Sequence, residues 1–531
     1  MPSNQNLTPP PEGASYNRVS PGQAAADAIP FLAQDDTYHL FHLTTPPFTR
    51  HHPPRLRSCW WRMRSKDLVY WVRDNEPSIK AGEAPTAPDA DGAWTGAAVA
   101  GLDGNMNIFY TGYNLSQGGK QVILLAKSED PHGTKFQPGQ EIHFTGDGRS
   151  KLEDIDFRDP FVFYNEAESQ YWMIVASRLA RGPYWSRGCI ALLKSADLET
   201  WTFAPEPLYS PNDMFCPECP ELFALPNGKW YLVYSRFHAP DSGTVYRIAD
   251  SPYGPFRVPR DGSHGRLDGR RWYAAKSCPK AGDPTRRIFF GWTGDYVDDE
   301  GRWLWGGDLG MPREVFADDR GHLQVGPVPD IERLFDETSI TVASNTVPSD
   351  LSLSSESTSV TFPDLGEAET HDLLARFRIR RCDAHSFGLV LQADGSQKGH
   401  RLRIMPVGED TFTVALLMDF PPLDDFWADQ YDLHLPRSVD GPEIVRHDGV
   451  HLPDVVTVFL RGHVLEVFCG GRSISFRLPG AESSSSTDSS GLSRDGCRLG
   501  WFVEDGGVDL GEVSIRYRGL ADKTVMQSSQ Q

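Results

Sequence analysis

Five short apolar runs recur along the chain at a nearly steady step. They are His39-Leu40-Phe41-His42-Leu43, Asn107-Ile108-Phe109-Tyr110-Thr111, Trp172-Met173-Ile174-Val175-Ala176, Tyr231-Leu232-Val233-Tyr234-Ser235 and Ile288-Phe289-Phe290-Gly291-Trp292. Their central residues sit at 41, 109, 174, 233 and 290, so the steps are 68, 65, 59 and 57 residues. Each run is short, rich in aromatic and β-branched residues, and flanked by Gly, Pro, Asn and Asp, which is how strands read. A second echo follows: Ser65-Lys66-Asp67-Leu68-Val69-Tyr70-Trp71 matches Ser195-Ala196-Asp197-Leu198-Glu199-Thr200-Trp201. A fixed period of several strands per unit predicts a radial repeat, here an all-β, five-bladed β-propeller. The near-continuous apolar character of the runs fits sheets covered on both faces. An ordinary β-sandwich with chance echoes is the alternative.

The texture changes twice. Residues 1–20 are polar and Pro-rich and predict an arm, loose or wrapped over the surface. The propeller is expected over 21–335. Beyond it, alternating segments such as Ala375-Arg376-Phe377-Arg378-Ile379 and Val456-Thr457-Val458-Phe459-Leu460 argue half-buried antiparallel strands, hence a C-terminal β-sandwich over 336–531. Within it, 483–490 is a low-complexity Ser-rich loop. No long amphipathic helix is expected.

Composition narrows the function. The 531 residues carry a formal net charge of −20, which repels a phosphate backbone and argues against a nucleic-acid partner. A neutral sugar is compatible with that charge. Fourteen Trp and seventeen Tyr could stack on sugar faces, although most are expected in blade cores. Cys216 and Cys219 form a lone CxxC with no second pair at zinc-ribbon distance, so no metal or other cofactor is expected. The first residues show no basic, apolar signal segment and no run is long enough to span a membrane, which gives the expectation of an intracellular, cytoplasmic protein with no membrane partner.

Spacing then selects three acids. Asp27 lies eleven residues before Tyr38, Asp159 twelve before Tyr171, and Glu218 twelve before Trp230. If the repeat is real, all three occupy one blade position and face one axial funnel. Carboxylates crowded there cannot all ionise normally, so one stays protonated while another stays charged. That is the equipment of glycoside cleavage. Arg158 beside Asp159 would hold a carboxylate ionised. Taken singly, each acid is more often a turn or surface charge. Glu221 rivals Glu218, but its position in a strand turns it to another face. Trp94, Arg158, Tyr273 and Trp305 are the expected pocket wall, with Arg236 and Trp60 as further candidates; blade packing is the alternative for each aromatic.

The motifs resemble those of glycoside hydrolase family 32, the β-fructofuranosidases, fructanases and related fructosyltransferases. Phe157-Arg158-Asp159-Pro160 resembles the family's Arg-Asp-Pro motif, Glu218-Cys219-Pro220 its Glu-Cys-Pro motif, and Trp94-Thr95-Gly96 its aromatic-Ser-Gly motif. Tyr38-His39-Leu40-Phe41 with Ser65–Trp71 resembles its first blade, and Leu465-Glu466-Val467-Phe468 its C-terminal sandwich. The resemblance implies a retaining enzyme acting on sucrose, fructo-oligosaccharides or fructans, with Asp27 as nucleophile, Glu218 as acid/base and Asp159 as transition-state stabiliser. It departs at Ala25-Ala26-Asp27-Ala28-Ile29-Pro30-Phe31, where the family usually has Trp-Met-Asn-Asp-Pro-Asn-Gly; Asp35 and Asp36 are the alternatives to Asp27. Water or a sugar hydroxyl could resolve the covalent fructosyl-enzyme. The other readings are an inverting furanosidase or xylosidase like those of family 43, and a non-catalytic sugar-binding propeller.

Overall fold

The computed structural model describes residues 16–19, 23–49, 56–237, 242–294, 305–338, 340–341, 348–361, 371–393, 399–408, 411–418, 443–451, 455–462, 464–478 and 498–519. The serine-rich 483–490 and the stretch 295–304 lie outside them. Two compact units are distinguished: one holds residues up to Val258 together with Tyr273–His322, the other Pro259–Trp272 with the chain from Leu323 to Lys523. Pro259–Trp272 therefore belongs with the second unit, although it falls inside the 21–335 expected for the propeller. Its Asp268 is buried there, accepting from Ser473 Oγ, Ser475 N and Ser475 Oγ at 2.7, 2.7 and 2.8 Å. Among the described residues the single α-helix is Pro329–Thr338, and no helix is long and apolar enough to cross a membrane.

All five apolar runs are strands of the first unit. They fall in Tyr38–Thr44, Met106–Tyr113, Gln170–Leu179, Trp230–Arg236 and Asp283–Gly294. Each pairs with the strand just before it: Ala25–Leu32, Gly92–Ala100, Leu152–Asn165, Glu218–Ala224 and Trp272–Lys280 respectively. The apolar runs alternate as their continuous hydrophobicity requires. Met173 and Val175 pack on Phe109, Ile123 and Leu125 of the preceding sheet. Trp172 and Ile174, facing the other way, pack on Leu222, Leu232 and Val245 of the following one. A strand with both faces covered has no solvent side, so its residues are apolar or, like Thr111 and Ser235, buried with a hydrogen-bond partner.

The first and last of these strand pairs join in one sheet. Gly307–Leu309 pairs with Ala25 on one side and with Trp292–Gly294 on the other. Arg18 clamps the same segment through a buried two-pronged pair to Asp308, both contacts at 2.7 Å, and Tyr16 Oη donates to the Gly310 carbonyl at 3.0 Å. The described end of the arm, Tyr16–Val19, is thus bound into the unit, with Tyr16 and Val19 buried. The sequence echo is also a structural one. Ser65 and Ser195 each accept the N–H of the Leu three residues on at 2.9 Å, and that Leu carbonyl accepts Trp71 or Trp201 Nε1 at 3.0 Å.

In the second unit the 22-residue strand Arg498–Gly519 organises the sheet. Its early part pairs with Ser386–Ala393 and its later part with His371–Cys382. The change of partner falls at Glu504–Val508, where Asp505 and Gly506 take φ of 44° and 125°. Phe377 then meets Trp501 edge-on at 5.0 Å.

One glycine in the first unit tests this packing. A Cβ on Gly96 would sit 1.8 Å from the Phe109 carbonyl oxygen. Gly96→Ala is therefore expected to destabilise the protein by about 1–3 kcal/mol or more, read as a lowered Tm in thermal unfolding. An unchanged Tm would show that this strand crossing is looser than described.

Candidate active site

The first strand of four of the pairs carries a bulge at one place. The register slips between Ala26 and Ala28, Trp94 and Gly96, Arg158 and Phe161, and Glu218 and Glu221. Asp27, Asp159, Cys219 and, in the fifth pair, Ala274 hold φ of 31°, 58°, 50° and 49° there. Such a bulge re-aims side chains and is held only where its surroundings fix it. Those surroundings are visible. Asp159 N donates to Thr111 Oγ1 at 2.8 Å, Ala274 N to Ser235 Oγ at 3.0 Å, and Cys219 N to Asp159 Oδ2 at 2.9 Å. The repeat equivalence differs from the one that spacing predicts. The bulge residue matching Asp27 and Asp159 is Cys219; Glu218 stands one residue earlier, in the place of Trp94, Arg158 and Tyr273.

The three acids nevertheless meet. Cys219 Sγ lies 3.9 Å from Asp27 Oδ2 and 3.7 Å from Asp159 Oδ2, so these carboxylates are no farther apart than the sum of the two. Arg158 joins Glu218 at 2.8 Å and approaches Asp159 at 3.9 Å. Its other terminal nitrogen holds Asp156 at 2.6 Å, and Asp156 holds Arg178 at 3.0 Å. Tyr273 Oη donates to the second oxygen of Glu218. Asp27 accepts from Thr95 Oγ1 and, at 3.0 Å, from Trp292 Nε1. Buried Lys276 donates to the Gly96 carbonyl at 3.0 Å and lies 5.7 Å from the Phe161 ring, so the fifth strand pair reaches across to the second and third.

Crowding sets the charge states. Burial, then the charges of Asp159 and Glu218, push Asp27 up to about 6 against the pull of Thr95 and Trp292. Burial also lifts Glu218 above the usual carboxylate range, with Asp159 adding and Arg158 opposing. Burial works against Asp156 as a carboxylate, yet Arg158 and Arg178 hold it down to about 2. Burial pushes the Cys219 thiol up, which keeps it a neutral donor between two carboxylates.

The expected wall residues divide. Arg158 and Tyr273 touch Glu218 directly. Trp94 stacks on Tyr113 at 4.4 Å beside Thr95. Arg236 follows Ser235, the register partner of Glu218, and is held by Asp213 at 3.0 Å. Trp305 is partly buried and donates its backbone N–H to the Thr49 carbonyl at 3.1 Å. Trp60 is not pocket wall: it is fully buried, its indole donates to the Trp94 carbonyl at 3.0 Å, and its ring packs on Phe41 and Tyr110. A Trp with no exposed surface cannot stack on a ligand. Glu221 is likewise sealed, its carboxylate bound by Ser277 and Arg287. Asp35 and Asp36 sit on the exposed turn after Leu32, Asp35 paired with Lys66 at 2.9 Å. The sequence alone assigns no role to Thr95, Trp292, Cys219, Asp156 or Lys276: Thr95 and Cys219 reach the acids through the bulge, and the other three are brought there from other places on the strands.

Comparison with known proteins agrees with this geometry. The family described as glycosyl hydrolases family 32 N-terminal domain matches residues 24–327. Beta-fructofuranosidase, insoluble isoenzyme 4, of Oryza sativa subsp. japonica is 30% identical over 52% of this chain and 48% of its own. The chain thus spans about half the length of the relatives it matches in sequence. Fructan 1-exohydrolase IIa from Cichorium intybus, solved with 1-kestose, superposes over 95% of this chain and 97% of its own with a TM-score of 0.65 at 17% identity. Exo-inulinase from Aspergillus awamori superposes over 97% and 99% with a TM-score of 0.68 at 16% identity. With the matched segment covering both acid motifs and the bulged strands that bear them, the chain belongs to glycosyl hydrolase family 32.

Proposed function

We propose that the protein is a retaining fructosyl hydrolase, able in principle to transfer fructosyl units, that acts on sucrose or fructans. The first unit is read as a five-bladed propeller with its last blade closed by the first strand, and the second as a β-sandwich. Family membership supports the substrate class. The observation that carries the mechanism is the contrast between two carboxyls: Asp27, held by Thr95 and Trp292, and Glu218, held by Arg158 and Tyr273.

In this reading an Asp27 oxygen attacks the anomeric carbon of the fructosyl unit. The bond from that carbon to the bridging oxygen breaks, and Glu218 gives its proton to the departing oxygen. Glu218, now a carboxylate, takes a proton from water, whose oxygen attacks the same carbon and releases Asp27. Asp159 accepts hydrogen bonds from fructose hydroxyls. Tyr273 and Arg158 keep Glu218 aimed, and Cys219 donates toward both aspartates without reacting.

Two outcomes check this. Glu218→Gln keeps the shape of the side chain and one acceptor oxygen but has no acidic proton to give, and should lower kcat on sucrose by on the order of 10²–10⁴-fold with Tm little changed; near-normal turnover would remove Glu218 as the acid. The pH dependence of kcat/KM follows from the shifts. The nucleophile must be ionised, so activity falls as pH drops through about 6, where Asp27 takes up a proton. The acid must be protonated, so activity also falls as pH rises past the raised value of Glu218. The expected profile is a bell lying wholly above the ordinary carboxylate range of about 4, and an acid limb near 4 would contradict the crowding of the three acids.

A further inference from the structure

We infer that Tyr184 and Trp185 form a leaving-group platform that takes a second sugar ring of an oligosaccharide, an inference that rests on the function proposed above. The first support is where the chain puts them. They lie in the turn between strands Gln170–Leu179 and Gly188–Ser195. That turn leaves the end of Gln170–Leu179 that pairs with Leu152, Phe157 and Arg158, the end bearing Asp159. It is fastened there by Ala180 N to the Lys151 carbonyl and Leu179 N to the Arg187 carbonyl, both 2.8 Å.

The second support is which acid this rim serves. The segment leading to Glu218 runs alongside the same turn: Gly188 N donates to the Met214 carbonyl at 2.9 Å and Cys216 Sγ lies 3.8 Å from the Ser177 carbonyl. Phe215 of that segment packs on Tyr184 and Trp185 at 5.4 and 5.3 Å. An unbroken ionic path also runs from Glu218 through Arg158 and Asp156 to Arg178. The acid must stand beside the oxygen it protonates, so the departing sugar lies on the Glu218 side of the site. The rings are on that side.

The third support is that the rings are positioned yet open. The Arg178 guanidinium sits 4.4 Å from the Tyr184 ring and 3.9 Å from the Phe215 ring, donates to the Tyr184 carbonyl at 2.8 Å, and is itself pinned by Glu153 and Asp156. Even so, Tyr184 and Trp185 remain 53% and 54% exposed. Tyr184 and Trp185 meet edge to face at 88° with ring centroids 5.1 Å apart, so each ring offers its own face to water, and the larger indole of Trp185 suits the C–H face of a sugar ring.

The test uses the Glu218→Gln protein, so that sugars bind without being cleaved. Fructose and an inulin-type trisaccharide of two fructosyl units on glucose are titrated by calorimetry into it, with and without Trp185→Ala. The trisaccharide should lose about fivefold to tenfold in affinity, fructose distinctly less, and Trp185→Phe should recover most of the loss. Equal factors for both sugars, or no change for the trisaccharide, would overturn the platform. Turnover by the unsubstituted enzyme keeps the two claims apart: release of no fructose from sucrose or from the trisaccharide refutes the proposed function itself, whereas release together with equal factors refutes only the platform.

Discussion

Gathering three carboxyl groups into one enclosed pocket is electrostatically unfavourable, and the first unit is built around containing that cost. Asp27 shows its size. A carboxyl lifted from 3.8 to about 6 in the fold binds a proton more readily than it does in the unfolded chain. Its stabilising protonation is complete at low pH and is lost as pH rises between those values, so the ionised form costs about 3 kcal/mol near neutrality. Arg158 meets this by reaching two of the acids at once, while Thr95, Trp292, Tyr273 and Cys219 supply neutral donors from three different strand pairs. A site held from so many elements depends on their sheets staying locked face to face. The apolar strand faces on either side of Gln170–Leu179 supply part of that locking.

The device that turns a repeated sheet into a site is a backbone one. The same bulge recurs in the first strand of four pairs, and what it presents differs: Asp27, Thr95, Asp159 and Cys219, with the positive φ of Ala274 marking the matching place in the fifth. The residue just before it gives a second ring of side chains, Trp94, Arg158, Glu218 and Tyr273 among them. In the proposed mechanism the nucleophile and the stabiliser are drawn from the first ring and the acid from the second. That one-residue offset lets Glu218 receive Arg158 and Tyr273 from neighbouring strand pairs instead of projecting straight at the two aspartates.

Much of this was legible in the chain. The five runs are strands, each paired to its predecessor, because apolar residues on both faces leave a strand no solvent side. Spacing selects three acids that the fold brings close together, although the equivalence behind that spacing is off by one for Glu218; an extra residue in a bulge changes side-chain aim without changing the count to the next strand by more than one. Trp60 reads equally as pocket wall or as blade packing, and its full burial against Phe41 and Tyr110 decides for packing. Pro259–Trp272 carries no pattern that assigns it to the second unit, because its attachment is made by Asp268 to two serines far along the chain. Tyr184 and Trp185 stood out neither as run nor as motif; only register shows that their turn opens at the acid end.

The central claim is that Asp27, despite its altered flanking sequence, is the group that becomes covalently linked to the sugar. The most direct measurement is acid quenching of the enzyme during turnover of a fructosyl donor, followed by peptide mapping by mass spectrometry. A fructosyl ester on the peptide containing Asp27, absent in Asp27→Asn, is the result this account predicts. An adduct on another carboxyl, or a first product of inverted anomeric configuration, would contradict it.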